Sequence, residues 1–320
     1  MSASGGTKAI IAALLANAGI AVSKFVAFLL TGSSSMLAEG VHSVADTSNQ
    51  ALLLLGGKRA KKEPTAVHPF GFGRERYFWS FVVSIILFTL GALFAIYEGE
   101  EKIRHPHELE SAAVAIGVLV IAIGLESFSF YTAIRESNHI RGEASWVHFV
   151  RRAKVPELPV VLLEDVAALI GLVFALLGVG LTAITGNSLF DAIGTLMIGT
   201  LLIVVAITLG IETKSLLIGE SASRSLVQEI RGAIEGGPEV RRIIHLRTLH
   251  LGPDELLVAA KLGFAGDKPL ADVAAEIDIL EARVRKAVPF ARSIYFEPDV
   301  YSAGDSAHPR TEEVVIRSVD

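Results

Sequence analysis

Six blocks of mainly apolar residues occupy the first two-thirds of the chain. They cover residues 7–30, 35–55, 77–96, 112–133, 158–181 and 190–211. A helix advances about 1.5 Å per residue, so about 20 such residues cross a hydrocarbon core. Backbone N–H and C=O groups find no water there, and a helix satisfies them within the segment. The blocks therefore predict six transmembrane helices and a six-span transport domain over residues 1–211. The first block is too long for a cleaved leader and reads as a retained span.

The links between blocks set the orientation. Between the second and third lie Lys58, Arg59, Lys61, Lys62, Arg74 and Arg76. Between the fourth and fifth lie Arg135, Arg141, Arg151, Arg152 and Lys154. The alternate links are poor: 31–34 and 185–189 carry no basic residue, and 100–110 carries only Lys102 and Arg104. Both basic links fall on one side of a six-span path, which places both termini in the cytosol.

After residue 211 the apolar blocks stop, and residues 212–301 read as a soluble domain. The pattern predicts a helix over 223–235 with serines near its start. Strands are expected over 240–249 and 255–262, parted by the turn residues Gly252, Pro253 and Asp254. Leu270, Val273, Ala274, Ile277, Leu280, Val284 and Val288 recur at helical spacing, predicting a helix over 269–288 with Asp267 as its cap. A last short strand falls at 293–296. The order is αββαβ, a small open sheet with helices on one face. Residues 302–320 are polar and read as a flexible tail.

Composition narrows the function. The chain has no cysteine, which excludes disulfides and thiolate metal sites and disfavours Cu(I). The net charge of −5 and the confinement of basic residues to short links leave no nucleic-acid footprint. No nucleophile–base pair and no phosphate-binding loop is present, so an enzyme is not expected.

Ionisable groups inside spans are costly and mark function by default. His42 and Asp46 share one helix face, about 6 Å apart along the axis, and suit either a divalent ion or a mutual hydrogen bond. Glu164 and Asp165 are adjacent and point about 100° apart. Asp165 is the candidate ligand; Glu164 is a second candidate or a partner for a neighbouring helix. Asn17 and Lys24 lie in the first span, where Lys24 can snorkel. Glu126, in the fourth, suits a proton path or a pairing with a neighbouring helix.

Four stretches resemble the cation diffusion facilitator family. They are GSSSMLAEGVHSVADTSNQALLLLG, HPFGFGRERYFW, YEGEEKIRHPHEL and NSLFDAIGTLMIGTLLI. LLEDVAALIG with the downstream ITGN is most similar to its zinc-transporter-9-like branch. The resemblance implies a homodimer of six-span protomers, each with a ferredoxin-like cytosolic domain, exchanging a divalent cation for protons. It implies a transport site with two ligands from each of spans two and five. His42 and Asp46 match the first pair and Asp165 the second member of the other. The remaining position is Val161, which cannot bind metal, so Glu164, a water or Asn49 is left to complete the set.

The resemblance also implies auxiliary sites that look degraded here. His68 is kept in the loop after span two, but its partner position is Phe72. In the cytosolic domain one histidine position is Ile244, beside His245, and Glu297 lacks its histidine partner. His245 and His250 are then packing or surface residues. An ion pair is expected where the membrane and cytosolic domains meet, between Arg74 or Arg76 and Glu220 or its dimer mate. The expected function is proton-coupled efflux of a divalent cation, Zn²⁺ first, from the plasma (inner) membrane, with the ion as substrate and no cofactor. The alternatives are a non-transporting partner and a manganese, iron or cobalt transporter.

Overall fold

The computed structural model describes residues 4–31, 34–106 and 112–300. For part of these, His42 among them, only the backbone is described. The chain divides into two units. The first holds residues up to Glu220 with the hairpin tip His250–Asp254, and the second holds Ser221–Leu249 and the residues from Glu255.

The first unit is helical. Its elements are α1 (Ser4–Thr31), α2 (Ser34–Arg59), α3 (Glu75–Ile86), α4 (Phe94–Arg104), α5 (Ala112–Arg141), α6 (Trp146–Arg152), α7 (Glu157–Thr185) and α8 (Leu189–Ile218). A π-helical stretch, Leu87–Leu93, joins α3 to α4. Among the described residues, four helices are long and apolar enough to cross a membrane: Glu75–Arg104, Ala112–Arg141, Glu157–Thr185 and Leu189–Ile218. Outward residues such as Leu177, Leu181, Val204, Ile207 and Ile211 stay exposed. A surface that apolar suits hydrocarbon rather than water. This unit is an apolar, multi-pass membrane region.

The helices pack in an order that brings distant segments together. The α1 helix packs on α2, α5 and α7; α7 packs on α5 and α8; and α8 packs on α3 and α4. Two glycines decide how closely α7 and α8 cross. A Cβ at Gly178 would stand 3.0 Å from the Phe190 carbonyl oxygen, and one at Gly194 would stand 2.9 Å from that of Phe174. Both contacts are to backbone, so a larger side chain would part the helices. The close approach falls here rather than at Gly171, whose Cβ would meet only the Ile198 side chain.

The second unit follows the order α9 (Arg224–Glu235), β1 (Arg242–Gly252), β2 (Glu255–Phe264), α10 (Leu270–Ala287) and β3 (Ala291–Val300). The sheet runs β1-β2-β3. A two-residue turn links β1 to β2, and α10 carries the chain back so that β3 runs parallel to β2. Every second residue of β2 is buried, Leu256, Val258, Ala260 and Leu262. These meet Ile230 and Ile234 of α9 and Leu280 and Val284 of α10 in one apolar core.

The capping of these helices is mixed. Ser223 caps α9 by accepting from Leu226 N–H. The residue before α10 is Pro269, with no side-chain cap, so Asp267 lies outside that role. Proline suits a helix start because its fixed φ is already helical and its missing N–H would go unpaired anyway.

Candidate functional site

The polar groups of the first unit gather where α1, α2, α5 and α7 meet. Asp165 on α7 is buried, and its Oδ2 accepts from Ser129 Oγ of α5 at 3.0 Å. Ser129 lies three residues after Glu126, so both face one way on α5. The Glu126 carboxyl group lies beside Asp165, whose other oxygen, Oδ1, is buried without a hydrogen-bond partner. Glu126 also lines a cavity of about 60 Å³ with Asn17, Lys24, Ser43 and Asp46, floored by apolar residues of α7 and α8.

Glu164 turns away from that cavity. Its Oε1 accepts from Asn49 Nδ2 at 2.9 Å and its Oε2 from Gln50 Nε2 at 2.7 Å. All three side chains are buried. A carboxylate only accepts, so both amides must present NH₂ to it. Their oxygens, Asn49 Oδ1 and Gln50 Oε1, are thereby left buried without a hydrogen-bond partner. The roughly 100° between Glu164 and Asp165 separates two tasks on one helix: Asp165 faces α5, and Glu164 clamps α7 to α2.

Val161 is wholly buried in an apolar cluster with Leu158, Val160 and Leu162. Its methyl groups fill the place, one turn before Asp165, where a ligand would be needed. His42 lies on the α2 backbone, but its side chain is outside those described. Among the described residues, no three histidine, aspartate or glutamate groups stand close enough to hold one ion.

The outlying candidates separate from this centre. His68 is exposed and packs on the Phe72 ring, with centroids 4.7 Å apart. Arg76 is buried and grips both oxygens of Glu157, one contact being Nη2 to Oε2 at 2.9 Å. Glu220 pairs with Lys154, and Arg74 is exposed. Within the single chain Glu220 pairs with Lys154 and Arg76 with Glu157, each pair joining α7 or its approach to a different helix end.

His250 is buried, its Nδ1 3.4 Å from the Gly252 carbonyl oxygen. Burial and the nearby Lys154 charge push its pKa down to about 4. In the second unit, Lys261 pairs with Glu297 at 3.0 Å and Asp299 at 3.4 Å. The ammonium thus neutralises Glu297, the carboxylate singled out in the last strand.

Sequence reading left out Ser129, Gln50 and Ser43. A serine or amide in a span costs little and gives no signal by itself. The spacing of Ser129 to Glu126, and the run Ser48-Asn49-Gln50 inside an apolar block, carried what signal there was. Lys24 does not snorkel: it is 4% exposed and donates to Ser43 Oγ at 3.0 Å.

The cation efflux transmembrane domain family matches residues 10–218. The chain belongs to the cation efflux family. It is 36% identical over 265 residues to a Xenopus laevis protein named proton-coupled zinc antiporter SLC30A9, mitochondrial, covering 82% of this chain and 47% of that one. The human protein of the same name is 34% identical, covering 82% of this chain and 46% of its own length. Metal tolerance protein C4 of Arabidopsis thaliana is 30% identical, covering 81% and 57%. The chain spans about half the length of these relatives.

Proposed function

We propose that this protein exports a divalent cation, Zn²⁺ first, in exchange for protons. The observation that carries the reading is the pair Asp46 and Glu126 lining one cavity between α1, α2, α5, α7 and α8, with the buried Asp165 beside Glu126. Buried carboxylates at bilayer depth cost several kcal/mol unless they are paired, so a site for cations is their economical use. The names of the vertebrate relatives support zinc and proton coupling.

In this mechanism His42, Asp46 and Asp165 take the ion from the cytosol, and an oxygen completes its shell in place of Val161. Ligands must shed protons to bind, so protons arriving from the far side favour release. His42, with an ordinary pKa near 6.5, suits that exchange. Glu164 acts here as the clamp to α2, and Asn49, on the face of Asp46, offers the oxygen.

The reading includes six spans, with α1 and α2 as the first two, and a ferredoxin-like second unit. It places both termini in the cytosol and two protomers in a dimer. It puts the transport domain at residues 1–211 and the cytosolic domain at 212–301. The membrane is the plasma (inner) membrane, against the mitochondrial location in the relatives' names; fractionation of tagged protein decides between them.

Flux into proteoliposomes, measured across Zn²⁺, Mn²⁺, Fe²⁺ and Co²⁺ with and without a pH gradient, tests the function. Zinc flux that rises with the gradient is expected. Two other readings have specific support. The carboxylate-rich cavity suits harder ions, and flux of manganese above zinc would establish that. Val161 favours a non-transporting partner, and absence of flux for every ion would establish that.

A further inference from the structure

Lys24 is the one cationic side chain among the described residues lining the cavity, and the transport reading does not use it. It sits within the 28-residue helix α1 and is 4% exposed. Snorkelling to an interface would relieve the cost of its charge. The ammonium instead turns inward, donates to Ser43 Oγ at 3.0 Å and lines the same cavity as Asp46 and Glu126. Glu126 lies within electrostatic reach of it.

The cavity volume, about 60 Å³, has room for a few waters. The Lys24 ammonium and an arriving ion would share this space. The charges compete as well: Asp46, Glu126 and Asp165 are negative when ionised, and a fixed positive charge nearby lowers the attraction they offer to an arriving ion.

We propose that Lys24 is a tethered counter-cation of this cavity, occupying the carboxylate field when no divalent ion is bound and competing with the ion for it. The inference rests on reading the cavity as the transport site. It makes three consequences follow. The ion-free carrier is not left with bare carboxylates at bilayer depth. A monovalent ion, carrying no more charge than the ammonium, gains little by entering. A divalent ion carries twice the charge and displaces it, and the returning ammonium helps the ion to leave.

A lysine that only ties α1 to α2 acts differently. Removing such a tie loosens the cavity and weakens ion binding. Removing a competitor tightens it. The two roles differ in the sign of one measured quantity.

The test is equilibrium calorimetry of Zn²⁺ and Mn²⁺ on the full chain in detergent, paired with flux in proteoliposomes. For Lys24→Met the expected results are a dissociation constant lowered roughly tenfold or more, a lowered KM and a lowered kcat. Lys24→Arg, which keeps the charge, is expected to stay near the parent. Lys24→Gln keeps a donor for Ser43 without the charge and is expected to behave like Lys24→Met. An unchanged or weaker dissociation constant in a folded neutral variant overturns the proposal. Failure of both neutral variants to fold overturns it too, in favour of the tie. A parent that binds no divalent ion removes the transport reading and this inference together. A parent that binds, with no tightening in the neutral variants, removes this inference alone.

Discussion

Both units bury apolar side chains, but they differ in what charge they bury beside them. The helical unit encloses Lys24, Glu126, Glu164 and Asp165 with the amides of Asn49 and Gln50. The sheet unit encloses Leu256, Val258, Leu262, Leu280 and Val284, and keeps ion pairs such as Lys261–Glu297 at its surface. An apolar core stabilises a fold simply by leaving water. A buried charge does not, because its desolvation offsets much of what its partner returns. The comparison teaches that the first unit gives up stability at its centre for what the centre does, whereas the second holds a shape.

The sharpest way to break that contrast is Asp165→Ala. Flux is expected to fall by more than about a hundredfold, because a lost ligand costs more than the lost supporting contacts that already cost 10–100-fold. The thermal midpoint in detergent is expected to hold or rise, since a buried carboxylate has been removed. Parent-like transport by this variant would place the site elsewhere.

Leu280→Ala asks the opposite of the second unit. A fully buried leucine cut to alanine is expected to cost about 2–5 kcal/mol in denaturant unfolding of residues 221–300. Ion affinity of the full chain is expected to stay unchanged wherever the protein remains folded. A loss below 1 kcal/mol would mean that the core relaxes around the void.

Glu164→Gln probes the clamp. The new amide must turn its NH₂ toward either Asn49 or Gln50, where two donors then meet until one amide flips. That mismatch is expected to cost about 1–3 kcal/mol in stability and to raise KM modestly. A collapse of affinity like that of Asp165→Ala, restored by Val161→His, would instead make Glu164 a ligand.

A smaller effect lies at the hairpin tip. The pKa of His250 is about 4 in the folded protein, against about 6.5 unfolded. Between those values the unfolded chain binds more protons, so stability falls as pH drops from about 6.5 toward 4. His250→Asn is expected to flatten that slope of thermal midpoint against pH. The smallest expected effect is none: a chelator leaves the midpoint of residues 221–300 unchanged, and a large drop would reveal a structural metal.

Much of the scaffold was legible because apolar length and period report burial directly. The block at 158–181 lies within α7, and the spacing of Leu270 to Val284 lies along α10. The π-helical stretch Leu87–Leu93 and the short helix α6 left no such trace. One extra residue in a turn, or seven residues of helix, barely alters a hydropathy pattern. In the site, the charged residues announced themselves by their cost in a span. Their partners did not, because Asn49, Gln50, Ser43 and Ser129 gain meaning only from helices that packing sets beside them. Glu164 shows the limit most clearly. Its sequence position offered metal or neighbour, and two amides 115 and 114 residues away decided its hydrogen bonding.

The crossing of α7 and α8 at Gly178 and Gly194 has a mechanical consequence. Backbone seated on backbone has no flexible side chains to absorb sliding, so this seam resists displacement of one helix past the other. The α2–α7 seam is different, since its amide–carboxylate contacts can break and re-form in a new register. A motion that exposed Asp165 first to one side and then to the other would therefore shear α7 along α1, α2 and α5, with α8 carried as ballast.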